Sequence, residues 1–203
     1  TIDKEKPMSA VLKVVGVGGG GCNAIESMIA RGLSGVEYIA VNTDSQVLRS
    51  STATYKVQCG SAITRGLGAG ADPNIGRKSA EEDRDQLAEV LSGSDMVFIT
   101  AGMGGGTGTG AAPVIASIAK SIGALVVGIV TKPFRWEGKT RMMNAEKGIQ
   151  ELRQHVDSLI VIPNERLLNI LDKATNAFAA FDKPNEVLYE ATRGIADIIT
   201  IEG

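Results

Sequence analysis

Short apolar runs alternate with longer amphipathic segments along this chain of 203 residues. The runs are nearly continuous in Val, Ile and Leu, which is typical of strands buried on both faces of a parallel sheet. They predict strands at residues 11–17, 36–41, 96–100, 125–131 and 158–162, with a weak edge strand at 55–59. Because helical crossovers between parallel strands are right-handed, the pattern predicts an α/β fold with helices on both faces of the sheet.

Amphipathic segments predict the helices that connect these strands. They cover residues 76–91, 113–122, 139–156 and 185–200. In the last segment apolar residues recur at helical spacing, and Pro184 suits its first turn. No repeat or change of composition divides the chain, so we expect a flexible leader at residues 1–10 and one domain at residues 11–203.

Glycine is the outlier of the composition, with 25 residues in 203. Residues 16–21, 66–70 and 102–110 hold five, three and six of them, and ordinary sequence separates these segments. A flexible linker or a collagen-like repeat would spread its glycines evenly. The clustering therefore indicates local backbone tasks, such as tight turns and close approach to a ligand.

Charge and cysteine content exclude several classes of partner. With 21 Lys and Arg against 23 Asp and Glu, the chain has no overall field to hold a nucleic acid or an anionic membrane surface. Its longest apolar run, residues 124–130, is far short of the roughly 20 residues that span a bilayer. We therefore expect a cytoplasmic protein without membrane insertion. Cys22, Cys59 and the single His155 cannot form a four-ligand zinc site, so we expect reduced thiols, with an internal disulfide left open.

The first glycine segment joins a predicted strand to a predicted helix. It reads GVGGGG at residues 16–21 and satisfies the dinucleotide pattern G-x-G-x-x-G, with Asp44 at the end of the next strand. Glycines let the backbone approach a phosphate, whose charge meets free N–H groups at a helix N-terminus. A tight turn without any ligand is an equal alternative for this segment taken alone.

A second glycine segment, GMGGGTGTG at residues 102–110, also follows a strand and leads into a helix. Two such loops at the carboxyl edge of one sheet indicate two anion sites, and Thr107 and Thr109 add hydroxyls that can reach phosphate or metal. The third strip, GLGAGA at residues 66–71, is available to close over distal phosphates. Three strips suit a nucleoside triphosphate better than a dinucleotide. Neither main loop contains the lysine of a Walker P-loop.

These segments resemble the tubulin and FtsZ superfamily. GGGTGTG at residues 104–110 is its shared signature, and the resemblance covers nearly the whole chain from Val11 onward. Five further segments match the bacterial FtsZ family in order and spacing: GVGGGGCN at 16–23, AVNTD at 40–44, GLGAGADP at 66–73, TKPFRWEGKTR at 131–141 and IPNERLL at 162–168. The implied fold is the Rossmann-like GTPase domain of that superfamily, ending after its central helix.

The resemblance implies a site for GTP or GDP. The implied nucleotide-binding residues are Gly19, Gly20, Gly21, Asn23, Asn42, Asp44, Ala69, Gly70, Ala71, Gly102, Gly105, Gly106, Thr107, Gly108, Thr131, Glu137, Arg141, Asn164, Phe181 and Asn185. Among them, residues 106–108 would cradle the α and β phosphates, and residues 69–71 would sense the γ-phosphate. Mg²⁺ would be held mainly by phosphates and water, near Asn42 and Asp44.

The remaining implied contacts concern the nucleoside. Glu137 and Arg141 would hold the ribose, Phe181 would stack on guanine, and Asn185 would read its edge together with Asn23. The family often has Asp where this chain has Asn185, and an amide pairs with guanine less strongly than a carboxylate.

Each of these residues also has a structural alternative. Phe181 lies in an apolar context typical of a core residue, and Asn164 after Pro163 is typical of a turn. Glu137 and Arg141 have the spacing of a solvated helix pair, and Asp44 can cap the turn after its strand.

Cys22 and His155 have only structural interpretations. Cys22 is expected to be present for its small size, and His155 is expected to be a surface residue near a helix C-terminus.

No internal base is evident near the glycine loops. In proteins of the resembled family an acidic loop from the next subunit completes hydrolysis in a head-to-tail filament, and that loop would begin just past Gly203. The resemblance thus implies a nucleotide-binding half that binds GTP or GDP, hydrolyses poorly alone and lacks a second, activating domain. In the full-length context it implies self-assembly at the division site at midcell, with membrane anchors and regulators as further partners.

Two other classes of function remain open from the sequence. A dinucleotide-dependent oxidoreductase would use the first glycine loop and Asp44, but it has no evident need for the second loop. A non-catalytic scaffold would bind nucleotide only for stability.

Overall fold

The computed structural model describes residues 10–32 and 35–163, and its centre is a six-stranded sheet. The strands are β1 (Leu12–Val17), β2 (Glu37–Asn42), β3 (Tyr55–Gln58), β4 (Met96–Gly102), β5 (Leu125–Lys132) and β6 (Ser158–Pro163). Every neighbouring pair is parallel, in the order β3-β2-β1-β4-β5-β6. The predicted parallel α/β fold is confirmed, and β3 lies at the edge as expected.

The helices of the described residues are α1 (Gly18–Ala30), α2 (Ser45–Arg49), α3 (Ser61–Thr64), α4 (Pro73–Glu82), α5 (Arg84–Leu91), α6 (Thr107–Ser121) and α7 (Lys139–Arg153). A short 3-10 helix covers Arg135–Glu137. None of them is long and apolar enough to cross a membrane. Residues 1–9 of the predicted leader, the helix predicted at 185–200, and Asn164, Phe181 and Asn185 lie outside the described residues.

Three helix predictions are wrong in their bounds, and the smallest difference is at residues 139–156, where α7 ends at Arg153. The segment expected to form one helix at 76–91 forms α4 and α5, because Asp83 leaves helical geometry and its carboxylate accepts a hydrogen bond from the Gly60 amide at 2.8 Å. The helix expected to begin at Pro113 begins at Thr107. Its first turn is made of threonine and glycine, which are poor helix formers, and it is held by packing against α4.

Side chains on opposite faces of the sheet belong to two separate cores. Val15 and Val17 of β1 pack with apolar residues of α5, α6 and α7, whereas Leu12 and Val14 pack with those of α1. This alternation follows from the period of two in a strand. Cys22 and Cys59 belong to different cores and are both free thiols, which confirms the expectation of reduced cysteines.

The order of the strands places a crevice beside β1 and β4. From β1 the chain proceeds outward through β2 and β3, and from β4 it proceeds outward in the other direction through β5 and β6. Such a reversal opens a crevice at the carboxyl ends of the two central strands, which is where ligands bind in open α/β sheets.

Candidate functional site

A cavity of about 610 Å³ lies in this crevice, between the loops that follow β1 and β4. Helix α1 starts directly after β1, and α6 starts a few residues after β4. The lining residues are Gly18, Gly19, Gly20, Asn23, Asn42, Thr43, Asp44, Val47, Leu67, Gly68, Ala69, Gly70, Ala71, Gly102, Met103, Gly105, Gly106, Thr107, Gly108, Thr131, Pro133, Glu137 and Arg141. All three glycine strips therefore meet in one cavity.

The N-termini of α1 and α6 both open into this cavity. Neither helix has a side chain that caps its first turn; the first turn of α1 is all glycine, and that of α6 alternates threonine with glycine. The leading N–H groups of a helix have no partner within the helix, and they carry the positive end of its dipole. A methyl group at Gly19 or Gly105 would meet no atom within 4 Å, so the backbone there is accessible to a ligand. The cavity thus has the donors that phosphate groups require.

The glycines also let the three strips pack against one another. Gly18 has a φ of +75°, and a methyl group on it would lie 2.8 Å from the Gly108 nitrogen. A methyl group on Gly106 would lie 2.8 Å from the Ala69 Cβ and 2.9 Å from the Asp72 nitrogen. Larger residues at Gly18 or Gly106 would therefore separate the loops that form the cavity.

Asn42 and Asp44 lie at the cavity with part of each side chain already engaged. The Asn42 Oδ1 accepts hydrogen bonds from the backbone amides of Thr43 at 2.8 Å and Asp44 at 3.2 Å. The Asp44 carboxylate accepts from the Gln46 amide at 2.9 Å and so caps α2. The capping interpretation of Asp44 is confirmed, and Asp44 is also one of the residues that line the cavity.

The two threonines of the second loop have different surroundings. Thr107 lines the cavity, and its hydroxyl lies 2.7 Å from the Thr43 hydroxyl. The Thr109 hydroxyl, by contrast, accepts a hydrogen bond from the Gly104 amide at 2.8 Å, and Thr109 does not line this cavity. The structure therefore gives the Thr109 hydroxyl a role in holding the glycine loop, and contact between Thr109 and phosphate or metal stays a prediction.

Glu137 and Arg141 form an ion pair of 3.7 Å at one side of the cavity. The other carboxylate oxygen of Glu137, Oε2, accepts from the Phe134 amide at 2.6 Å. The two residues are not on one helix as their spacing indicated, because Glu137 ends the 3-10 helix and Gly138, with a φ of +108°, precedes α7.

Cys22 lies behind the cavity wall and has a packing role. Burial raises the pKa of its thiol to about 12, although hydrogen bonds from the Asn42 side chain and with the Val41 backbone act in the opposite direction. Burial likewise raises the pKa of Cys59 to about 12. Both thiols are therefore protonated at neutral pH and are poor nucleophiles.

A protein-built metal centre has no support in the described residues, where no group of three His, Cys, Asp or Glu side chains could hold an ion. The carboxylates that line the cavity belong to Asp44 and Glu137. A divalent cation here would take most of its ligands from phosphate oxygens and water, which is usual for Mg²⁺.

Most of the residues predicted for the site line this one cavity. Gly21 does not, because it packs against Gly16 and Thr100 instead. Asn164, Phe181 and Asn185 lie outside the described residues. The sequence reasoning missed Gly18, Thr43, Val47, Leu67, Gly68, Met103 and Pro133. Met103 directly follows β4 and Pro133 directly follows β5, so their position at the carboxyl edge of the sheet could have been predicted from the sequence.

Comparison with known proteins gives a consistent result. A family model described as the GTPase domain of the Tubulin/FtsZ family matches residues 11–172. Cell division protein FtsZ of Azotobacter vinelandii is 58% identical over 197 residues, which are 97% of this chain and 50% of that protein. FtsZ of Wigglesworthia glossinidia brevipalpis is 57% identical over 98% of this chain and 52% of that protein. The chain thus spans about half the length of these relatives.

Solved structures agree with the sequence matches. An empty FtsZ dimer from M. jannaschii superposes with a TM-score of 0.93 at 46% identity, covering 98% of this chain and 58% of that one. A GDP-bound CetZ1 monomer from Haloferax volcanii has a TM-score of 0.78 at 27% identity, covering 89% of this chain and 58% of that one. With its parallel sheet, its glycine loops and these matches, the chain belongs to the Tubulin/FtsZ family, of which it contains the GTPase domain.

Proposed function

We propose that this chain binds GTP and GDP in the cavity between α1 and α6, as the nucleotide-binding half of a cell division GTPase of the FtsZ type. The observation that carries the proposal is the pair of uncapped, glycine-rich helix N-termini that open into one cavity of about 610 Å³. Two dipole ends and two sets of free N–H groups suit the concentrated charge of a polyphosphate.

The assignment of contacts follows the lining of the cavity. Gly106, Thr107 and Gly108 would hold the α and β phosphates, and the strip of residues 69–71 would lie at the γ-phosphate. Asn23, Glu137 and Arg141 would contact the nucleoside, and the exposed guanidinium of Arg141 is free to move toward it from its 3.7 Å pair. We extend the same proposal to Asn164, Phe181 and Asn185 for the nucleoside side, on the family resemblance alone.

Mg²⁺ is proposed to accompany the phosphates near Asp44. The Asp44 carboxylate accepts one backbone hydrogen bond, from Gln46, and so retains further lone pairs for a water molecule of the hydrated ion. The ion would neutralise phosphate charge. Asp44 would orient it through water, which agrees with the lack of a protein-built metal cluster in the described part of the chain.

Hydrolysis is proposed to require a second copy of the protein. Both carboxylates that line the cavity are engaged: Asp44 caps α2, and Glu137 binds the Phe134 amide and Arg141. We propose that Asp44 serves the hydrated ion and Glu137 the nucleoside side, which leaves the water that attacks the γ-phosphate to be oriented by another group. This supports a head-to-tail arrangement in which an acidic loop of the neighbouring subunit supplies that group.

Self-association through this face has further support in its exposed apolar side chains. Leu67 at the cavity rim is 84% exposed, and Trp136, adjacent to Glu137, is 57% exposed. Large apolar side chains at a rim are common in interaction surfaces. We propose that the full-length protein assembles into cytoplasmic filaments at the division site, where membrane anchors and regulators would bind it.

The proposal is tested by calorimetric titration of GTP, GDP, ATP and NAD into nucleotide-stripped protein in the presence of Mg²⁺. Selective binding of the guanine nucleotides is expected. Binding of NAD would favour the dinucleotide oxidoreductase, and binding of none of the four would contradict a nucleotide site. Nucleotide extracted from the purified protein and identified by chromatography gives an independent answer.

A further inference from the structure

Thr43 connects two parts of the cavity that are distant in sequence. It follows β2 directly, is 1% exposed, and has its hydroxyl 2.7 Å from that of Thr107, the first residue of α6. Either oxygen can be the donor of this hydrogen bond. The bond therefore joins the end of β2 to the helix N-terminus proposed to hold the phosphates.

On its other side Thr43 binds the start of the strip that closes the cavity. Its carbonyl accepts a hydrogen bond from the Thr64 hydroxyl at 3.3 Å, and that hydroxyl accepts from the Gly66 amide at 3.2 Å. The Gly66 carbonyl in turn accepts from the Ser45 amide at 3.0 Å. Residues 64–66 are thus anchored on residues 43–45, and an antiparallel bridge between Asp44 and Leu67 extends the contact.

The strip itself depends on such anchors. Arg65, directly before the strip of residues 66–71, and Ala71, its last residue, are non-glycine residues with positive φ, 55° and 62°. Backbone of this kind costs on the order of 1 kcal/mol or more per residue and persists only when surrounding contacts hold it. Between the ends, Ala69 packs against Gly106 at the start of α6. The contacts through Thr43 and through Ala69 therefore both attach the strip to the same helix N-terminus.

We infer that Thr43 is a positioning residue that couples an anion at the N-terminus of α6 to the placement of residues 65–71. A threonine hydroxyl has one proton to donate and can accept two. When the Thr107 hydroxyl donates to a phosphate oxygen, the bond between the threonines must be donated by Thr43. A phosphate at the N-terminus of α6 thus makes Thr43 the donor of a hydrogen bond that either threonine can otherwise donate. Thr43 and the strip attached to it are then held in one arrangement. The inference rests on the proposed function for the identity of the anion.

The test is amide hydrogen exchange on wild type, Thr43→Val and Thr43→Ser, each nucleotide-free and saturated with GDP. Valine keeps the shape of threonine and removes the hydroxyl, whereas serine retains it. With GDP we expect residues 66–71 to exchange about fivefold faster in Thr43→Val than in wild type, the ratio for one lost hydrogen bond. The amides of α1 at the cavity should keep their protection, and Thr43→Ser should behave as wild type.

Two results would overturn the inference. One is unchanged exchange of residues 66–71 in Thr43→Val. The other is an equal loss of protection in α1, which would mean that Thr43 supports the fold in general. Thr52→Val is the control for general destabilisation. It removes a hydroxyl that donates a hydrogen bond of 2.7 Å to Glu26, and neither residue lines the cavity. If wild type takes up no GDP, the proposed function fails and the inference with it, whereas normal GDP uptake with either of these results removes the inference alone.

Discussion

Gly21 of α1 lies so close to β4 that a methyl group on its α-carbon would overlap the Thr100 carbonyl oxygen. Gly16 in β1 faces Gly21 with the same closeness, since a methyl group on Gly16 would overlap the Gly21 carbonyl. The first glycine segment therefore serves two purposes. Gly18 to Gly20 open to the cavity, and Gly16 and Gly21 let the helix pack onto the sheet.

The two purposes can be separated by two alanine substitutions. We expect Gly21→Ala to lower the free energy of unfolding by about 1–3 kcal/mol, because overpacking shifts α1 from β4. Gly19→Ala, where a methyl group meets no atom within 4 Å, should change it by less than about 0.5 kcal/mol but weaken binding of GDP. Urea unfolding and calorimetry give the two quantities. Equal stability losses in the two variants would contradict this division.

Thr107→Val is expected to weaken GDP binding by about tenfold, since one hydrogen bond to a charged oxygen is lost. The valine also leaves the buried Thr43 hydroxyl without this partner, so a modest loss of stability should accompany it. Thr107→Ser is the matched control and should retain most of the affinity. If Thr107→Val binds GDP as tightly as wild type does, residues 106–108 do not hold the α and β phosphates as proposed.

Stability should depend on pH through Glu26. Burial alone would raise the pKa of this carboxyl, but hydrogen bonds from the Thr52 side chain and amide and from the Ser51 hydroxyl hold it below its ordinary value of 4.5. A carboxyl with a lowered native pKa stabilises the fold above its unfolded pKa, and that contribution is lost as the pH falls through the native value.

Urea unfolding of wild type and Glu26→Gln at pH 7 and at acid pH measures this contribution. We expect the variant to be less stable than wild type at pH 7. The difference in free energy of unfolding should shrink as the pH falls below 4.5 and through the lowered native pKa of Glu26. A constant difference at every pH would assign the effect to packing rather than to ionisation.

Both cysteines should resist alkylation in the native protein. Burial raises the pKa of Cys22 and of Cys59 to about 12, so the reactive thiolate is scarce at pH 8. Mass spectrometry after iodoacetamide treatment should show little modification without denaturant and two modified sites in urea. Fast native modification of Cys22 would mean that α1 opens readily from β2.

The chain alone should turn over GTP slowly and should cap filaments of a full-length relative. If it presents one face of a head-to-tail contact, substoichiometric amounts should shorten filaments in a sedimentation assay. Trp136→Ala, which removes an exposed apolar side chain at that face, should cap less well. Fast turnover by the chain alone, at a rate per molecule that does not depend on its concentration, would contradict the requirement for a group from a neighbouring subunit.

Local pattern was sufficient for much of this structure. Continuous apolar runs predicted the strands because a parallel sheet is buried on both faces, and the two main glycine loops were recognised because each follows such a run. Helix bounds were less accessible. The first turn of α6, from Thr107 onward, has weak helix propensity and forms because Gly110 allows close packing against Pro73 of α4.

The sequence by itself determined the fold class, the family and the three strips that form the cavity, since each depends on residues close together in the chain. Only the tertiary structure decided which residue of a strip faces the cavity. Gly21 and Thr109 resemble their neighbours in sequence, yet neither lines the cavity. Gly21 packs against Gly16 and Thr100, and the Thr109 hydroxyl binds the Gly104 amide. Thr43 has its proposed role because its hydroxyl meets that of Thr107, 64 residues away in the chain. Contacts between distant segments are determined by tertiary packing and not by local sequence pattern.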